Sequence, residues 1–307
     1  LGDVYKRQVD KISYEIRSLD AQRLIANADV TSYTENKGMI SMELPIQNLL
    51  EKNEEYLLVI QLESGDRMIY YYTRIIESQN SYVSECIDFV KQFNDTTFDS
   101  EKASSLSTYM EKTTGDNTTL QYVTLNNSLN QVSWAEFHGT RLTTPVPSVK
   151  EITSTYNVIV LDYVVTRVGQ NGQSEYYNVE EYYRVRYTNT RMYLLNFERT
   201  MEEIFRGEND SISGNDILLG IRSKDVEYQT NESGKVVTFV QEGELWSYNQ
   251  EANTLAKVFS FRGYEGVDDR ENYGEHDIKI VNIDEAGSID YIVYGYMNRG
   301  IHEGTVG

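Results

Sequence analysis

"YNVIVLDYVVTRV" (Tyr156–Val168), "SEYYNVEEYYRVRYTNT" (Ser174–Thr190) and "RMYLLNFERTMEEIF" (Arg191–Phe205) follow one another as runs of β-branched and aromatic residues. Such side chains suit a pleated, half-buried surface. "GQNGQ" (Gly169–Gln173) joins the first two runs and carries the Asn-Gly pair of a tight hairpin. A long antiparallel sheet is therefore predicted. Upstream, "SQNSYVSECIDFVKQF" (Ser78–Phe93) sets Tyr82, Cys86, Phe89, Val90 and Phe93 at helical spacing, and "FDSEKASSLSTYMEK" (Phe98–Lys112) sets Phe98, Leu106 and Met110 on one stripe. Both predict helices. The polar stretch "TTGDNTTLQYVTLNNSLNQ" (Thr113–Gln131) contains one weak strand, and the bend "TTPVPS" (Thr143–Ser148) holds two of the three prolines. Residues 77–212 are thus expected to form an α+β domain of two helices and a long antiparallel sheet.

Short strands lie on both sides of this domain. "KISYEIRS" (Lys11–Ser18) places Ile12, Tyr14 and Ile16 on one face at period two, and "RLIANADV", "MISMEL", "EYLLVIQLE" and "MIYYYTRII" follow at short intervals. Such an antiparallel run predicts a β-sandwich over residues 9–76. In residues 213–307, "GKVVTFV" (Gly234–Val240) aligns without a gap on "GSIDYIV" (Gly287–Val293). Around the first copy four strands are expected at "DILLGIR", "KVVTFVQ", "ELWSYNQ" and "LAKVFSF". The whole chain is read as mainly β and multidomain.

Three resemblances refine this. Leu50 and Tyr56 in "LLEKNEEYLLVIQL" resemble the approach to the tyrosine corner of fibronectin type III and immunoglobulin-like modules, without its Pro-Gly. The resemblance implies that the Tyr56 phenol bonds back to the upstream backbone and that the first two sandwich strands are missing. The α+β segment is similar to cystatin-like cone-shaped folds, an analogy of fold alone. Four strands repeated near every 50 residues resemble β-propeller blades, so 213–307 is read as a first blade and part of a second. A two-sheet sandwich is the competing architecture.

The opening "LGDVYKRQ" (residues 1–8) resembles a translated mosaic-end adaptor of transposase-based sequencing libraries and is excluded from fold reasoning. The chain is accordingly expected to be a fragment cut at both ends. Lack of a leader or anchor then says nothing about compartment, and an upstream anchor is expected. No apolar run approaches the roughly 20 residues of a spanning helix. With 28 basic against 48 acidic residues, net charge −20, nucleic acid is excluded as a partner, because phosphate contacts need clustered Lys and Arg. Cys86 is the only cysteine, which rules out an internal disulfide. Its place on an apolar helix face predicts a buried, inert thiol.

The chemical candidates are few. Asn282, Asp284, Ala286, Gly287 and Asp290 resemble the calcium loops of FG-GAP propeller repeats. Calcium takes six to eight oxygen ligands, so Asn282, Asp284 and Asp290 are the candidate metal ligands, with Ala286 unable to donate and Ser288 or Glu285 left to compensate. The same Asp and Gly are also the residues of an ordinary hairpin turn. His276 with Asp277, and His302 with Glu303, set imidazoles beside carboxylates, yet neighbours along a strand point to opposite faces. That holds for Glu180 and Glu181 too. Hydrolase and nucleotide signatures are absent. The 25 tyrosines suit sheet faces and also binding surfaces. The functional expectation is a non-catalytic, extracytoplasmic interaction or sensing ectodomain of a bacterial envelope protein, with a protein or cell-wall glycan as partner. The alternative is a piece of a secreted glycosidase-like propeller enzyme whose catalytic residues lie elsewhere.

Overall fold

Ile12, Tyr14 and Ile16 are all at most 2% exposed, so the period-two alternation in the first strand is a buried face. In this computed structural model the described residues are 9–36, 39–46, 50–79, 81–110, 119–135, 137–169, 172–207, 212–213, 216–219, 226–262 and 273–307. The adaptor-like segment 1–8 lies outside them. Strands hold 53% of the described residues and helices 10%, so the chain is mainly β, in several separate antiparallel sheets. Two compact units divide it: Leu1–Glu77 with Glu227–Gly307, and Ser78–Val226. The first is therefore built from both ends of the chain.

In that unit, β1 (Lys11–Ser18), β2 (Leu24–Asp29), β5 (Glu55–Ser64) and β6 (Arg67–Ile76) form a sheet of order β2-β1-β5-β6, while β3 (Tyr33–Asn36) and β4 (Met39–Met42) pair as a hairpin. Tyr14, Ile16, Tyr56 and Leu58 make the core under this sheet, and Val30, Leu44 and Leu50 from the β2–β5 connection cover it. Two phenols fasten that cover. Tyr14 donates to the Pro45 carbonyl at 2.6 Å, and the Tyr56 oxygen accepts from the Glu51 amide at 2.9 Å. The second contact is the one that the Leu50/Tyr56 spacing implies.

The other unit contains α1 (Val83–Thr97), β7 (Tyr122–Thr124), the single turn α2 (Leu129–Val132) and strands β8 (Thr140–Arg141), β9 (Val146–Ile152), β10 (Asn157–Val168), β11 (Ser174–Thr188) and β12 (Arg191–Glu203). The sheet runs β7-β12-β11-β10, with β8 and β9 both pairing β10. Helix α1 turns Cys86, Val90 and Phe93 onto it, into one core with Ile159, Leu161, Val179, Tyr183 and Phe197. Cys86 is fully buried, and burial pushes its thiol pKa up. The second expected helix is instead a 3₁₀ segment, Ala103–Thr108. Its serines explain the change: Ser105 and Ser107 donate to the carbonyls of Lys102 and Ser104, a local bonding that competes with an α-helical ladder. Residues 111–112 of that expected helix lie outside the described residues.

After a two-stranded hairpin of β13 (Ile212–Ser213) and β14 (Asp216–Ile217), the chain returns to the first unit with the meander β15 (Tyr228–Thr230), β16 (Val236–Gln241), β17 (Glu244–Asn249) and β18 (Thr254–Phe259), then β19 (His276–Ile283) paired with β20 (Ile289–Gly295). The expected first strand of four, "DILLGIR", is thus corrected: Asp216–Ile217 pairs with Ile212–Ser213, and Tyr228–Thr230 takes the place in the sheet. This strand hides from pattern reading because its inward residue is polar. The Gln229 amide donates to the Ile280 carbonyl at 2.8 Å. Val236 and Leu245 of one sheet bury against Ile278, Ile280 and Ile283 of the other. Among the described residues no sheet closes on itself.

Residues 296–307 then fold onto the edge of β6. The Tyr70 amide donates to the Gly304 carbonyl at 2.9 Å, Tyr296 donates its phenol proton to the Tyr70 carbonyl, and Arg67 reaches Glu303. A covered edge resists pairing with foreign strands. Gly304 has φ +79°, and a Cβ there would stand 2.8 Å from Ile69 Cα. Gly304→Ala should therefore destabilise this unit by about 2 kcal/mol or more, through strain and overpacking. Urea unfolding of the wild type and the variant measures it, and an unchanged midpoint would show that the contact carries no weight.

Candidate functional site

One short turn and the strand ends beside it hold the residues expected to bind a metal. Asn282 and Asp290 face each other as cross-strand partners on β19 and β20, and both are exposed. Asp284 opens the turn between them. Its Oδ1 accepts from the Ser288 amide at 2.7 Å, its amide donates to the Ser288 carbonyl, and the Gly287 amide closes on the Asp284 carbonyl at 3.1 Å. Those amides, Ser288 first, hold the Asp284 carboxyl below the ordinary carboxylate range. Glu285 points elsewhere. It accepts from the Ser233 amide at 2.9 Å and from the Asn231 amide group at 3.2 Å. Among the described residues no group of three or more His, Cys, Asp or Glu gathers where it could hold a metal ion.

The partner turn, Asn231–Gly234, is its structural repeat. The Gly234 amide closes on the Asn231 carbonyl at 3.1 Å, and Gly234 and Gly287 share a positive φ of 70° and 84°, which glycine adopts without steric cost. "NESG" and "DEAG" are therefore equivalent, a signal present in the sequence one step upstream of the aligned strands. Lys235 is an additional residue in the first loop: Thr230 pairs Val237, whereas Ile283 pairs Ile289. The gapless alignment of Val236 on Ile289 is thus one residue out of structural register. Such a shift exchanges the two faces of a strand.

Among the described residues a dense set of ionisable groups sits elsewhere, on the sheet of the β7–β12 unit. Glu181 on β11 and Arg199 on β12 are both fully buried and 3.6 Å apart. Tyr163 donates to Glu181 Oε1 at 2.8 Å, while Asn94 of α1 and Tyr183 donate to Oε2 at 2.8 and 2.5 Å. Arg199 stacks on the Trp134 ring at 3.6 Å and donates to the last carbonyls of α2, those of Gln131 and Val132. That single turn exists because Ser128 and Gln131 form a capping box. "SLNQ" (Ser128–Gln131) is a legible signature that the sequence reading passed over. Glu180, its neighbour, faces the opposite side and is exposed. Burial, then the Glu181 charge, push the Tyr163 and Tyr183 phenols well above their ordinary pKa. Every proton-transfer group in the cluster is held in an internal bond, so the arrangement locks helix α1, turn α2 and three strands to one another.

The histidine candidates are dispersed. His276 Nε2 lies 3.0 Å from the Gly243 carbonyl and its ring meets Phe261 edge-on, while Asp277 points to solvent. His302 is exposed, and Glu303 turns inward to Arg67.

Glu181→Gln keeps the volume and strands the Arg199 charge, so the β7–β12 unit should lose roughly 3–5 kcal/mol, read from denaturant unfolding. The double variant E181Q/R199M should recover part of that loss, and strict additivity would refute the coupling. Because the Tyr163 and Tyr183 pKa values are raised on folding, their contribution is complete below the unfolded tyrosine pKa of about 10 and is lost as pH climbs above it. Tyr163→Phe should flatten that alkaline fall. Asp284 and Glu285, both lowered, act in the opposite sense: their contribution is present above pH about 4 and fades on acidification. No family model matches the chain, and no curated protein matches it either.

Proposed function

We propose that this chain is a non-catalytic interaction or sensing ectodomain of a bacterial envelope protein, extracytoplasmic, with a protein or a cell-wall glycan as its partner. The observation that carries the proposal is the sealing of Glu181, Arg199, Tyr163 and Tyr183. The chain's most concentrated acid–base chemistry is turned entirely to internal bonds, while its outer sheet surfaces carry exposed Tyr71, Tyr72, Tyr122, Tyr228 and Tyr294, the residue type that enriches binding surfaces. In the first unit, the order β2-β1-β5-β6 is that of strands C′-C-F-G in immunoglobulin-like sandwiches, and Tyr56 stands where strand F begins, as a tyrosine corner requires. This supports a fibronectin type III-like module.

The propeller proposal rests on the meander β15-β16-β17-β18 followed by the like-turned pair β19-β20. The one-residue offset between the copies makes Val237, not Val236, the counterpart of Ile289. The face of β20 that meets the first sheet then corresponds to the opposite face of β16. Sheets stacked with the same sense, each back against the next front, have that relation. The exposed side of the second pair, with Val281, Ile292 and Tyr294, corresponds to the side of the first sheet that is covered.

Purified protein mixed with insoluble cell-wall glycan, and separately with detergent-solubilised envelope proteins, tests the function. Retention on one of them without release of soluble reducing sugar is the expected outcome. Turnover of the glycan by the homogeneous protein would overturn the proposal in favour of an enzyme.

A further inference from the structure

The outer face of the β11–β12 hairpin carries a basic island in a strongly acidic chain. Arg186 pairs across the strands with Tyr193, and Arg191 lies two residues before that tyrosine. Strand alternation puts all three on one face. Both guanidinium carbons stand 5.0 Å from the centroid of the Tyr193 ring, so they are no further apart than twice 5.0 Å. Arg184, on the same face, stacks on Tyr156 at 5.0 Å. All three arginines are exposed.

Six arginines elsewhere, Arg17, Arg67, Arg74, Arg141, Arg167 and Arg199, are each ion-paired. Among the described residues neither Arg186 nor Arg191 has a carboxylate within ion-pairing distance. Two cations no further apart than twice 5.0 Å repel each other, and in a chain of net charge −20 a neutralising glutamate is the ordinary solution. Here a ring holds them instead. Stacking on Tyr193 orients the planar forks and reduces the rotamer entropy that binding would otherwise cost.

We propose that Arg186 and Arg191, positioned by Tyr193, bind a phosphomonoester group. The guanidinium fork matches phosphate oxygens bidentately. Charge selects the ligand: a phosphomonoester carries about −1.5 to −2 at pH 7, which two arginines neutralise, whereas a carboxylate leaves one of them uncompensated. The overall negative charge of the chain does not prevent this, since at physiological ionic strength charges beyond roughly 8 Å are largely screened. Arg184 lies at the side of the site and extends the positive surface along the strand.

The test follows the arginine Nε–H signals of the full chain by NMR during titration with inorganic phosphate. Saturable shifts of the Arg186 and Arg191 signals are expected, and with a hexose phosphate in place of inorganic phosphate the affinity should be about tenfold weaker at pH 5 than at pH 7, because at pH 5 only about one phosphomonoester in ten is doubly charged. Since both arginines stay protonated throughout, the pH dependence belongs to the ligand. R186Q should weaken the response of the Arg191 signal while leaving the remaining spectrum in place, and Tyr193→Ala should weaken the response of both arginines although both charges remain. Parallel titrations with a hexose phosphate and a phosphoserine peptide identify the carrier of the group by which binds more tightly than phosphate itself. Acetate at equal concentration producing the same shifts, a response independent of pH, or an unchanged Arg191 response in R186Q would each overturn the proposal.

Discussion

Glu181 is a carboxylate without water. Its two oxygens collect a phenol from β10, a phenol from its own strand, an amide from α1 and a guanidinium from β12, so one side chain ties together elements far apart in sequence. An ion in a low-dielectric interior tolerates little displacement of its partners. The aromatic core around it, with Phe93, Tyr183 and Phe197 in mutual contact, supplies bulk stabilisation of the kind any well-packed interior has. The ionic cluster supplies register. A slip of β12 by one residue past β11 would move Arg199 to solvent and leave Glu181 unpaired. The capping box of α2 belongs to the same arrangement, because it presents the carbonyls that accept from the two terminal nitrogens of Arg199.

Much of the architecture was written in periodicity. Cys86, Val90 and Phe93 at helical spacing are the buried stripe of α1, Ile12, Tyr14 and Ile16 are the buried face of β1, and the three long runs are β10, β11 and β12. These readings worked because one face of each element is apolar and the other is not. Where the inward residue is polar, periodicity falls silent, as for Gln229 in β15, or for Glu181 and Arg199, which look like solvent residues until their partners are seen. Serine-rich Ala103–Thr108 misled in the other direction, since its stripe suits a helix and its hydroxyls favour a tighter turn.

The candidate site was legible in part. Asp284 and Gly287 were picked out by spacing, and both positions matter, yet the bonds of Asp284 run to its own turn and those of Glu285 to the preceding one. A calcium loop and a repeated Asx turn share their vocabulary because both wrap backbone amides and glycine around an oxygen. What separates them is whether the oxygens converge on a common point.

Because the first unit takes its strands from both ends of the chain, its assembly is tied to the direction of synthesis. Tyr70 waits for Tyr296, 226 residues later, before its carbonyl is bonded, whereas every partner of Glu181 has been made once β12 is complete. On a ribosome the inserted unit is therefore free to fold first, and β6 stays an open edge until residues 296–307 arrive. During that interval the edge of β6 is a template for foreign strands, one that residues 296–307 later cover.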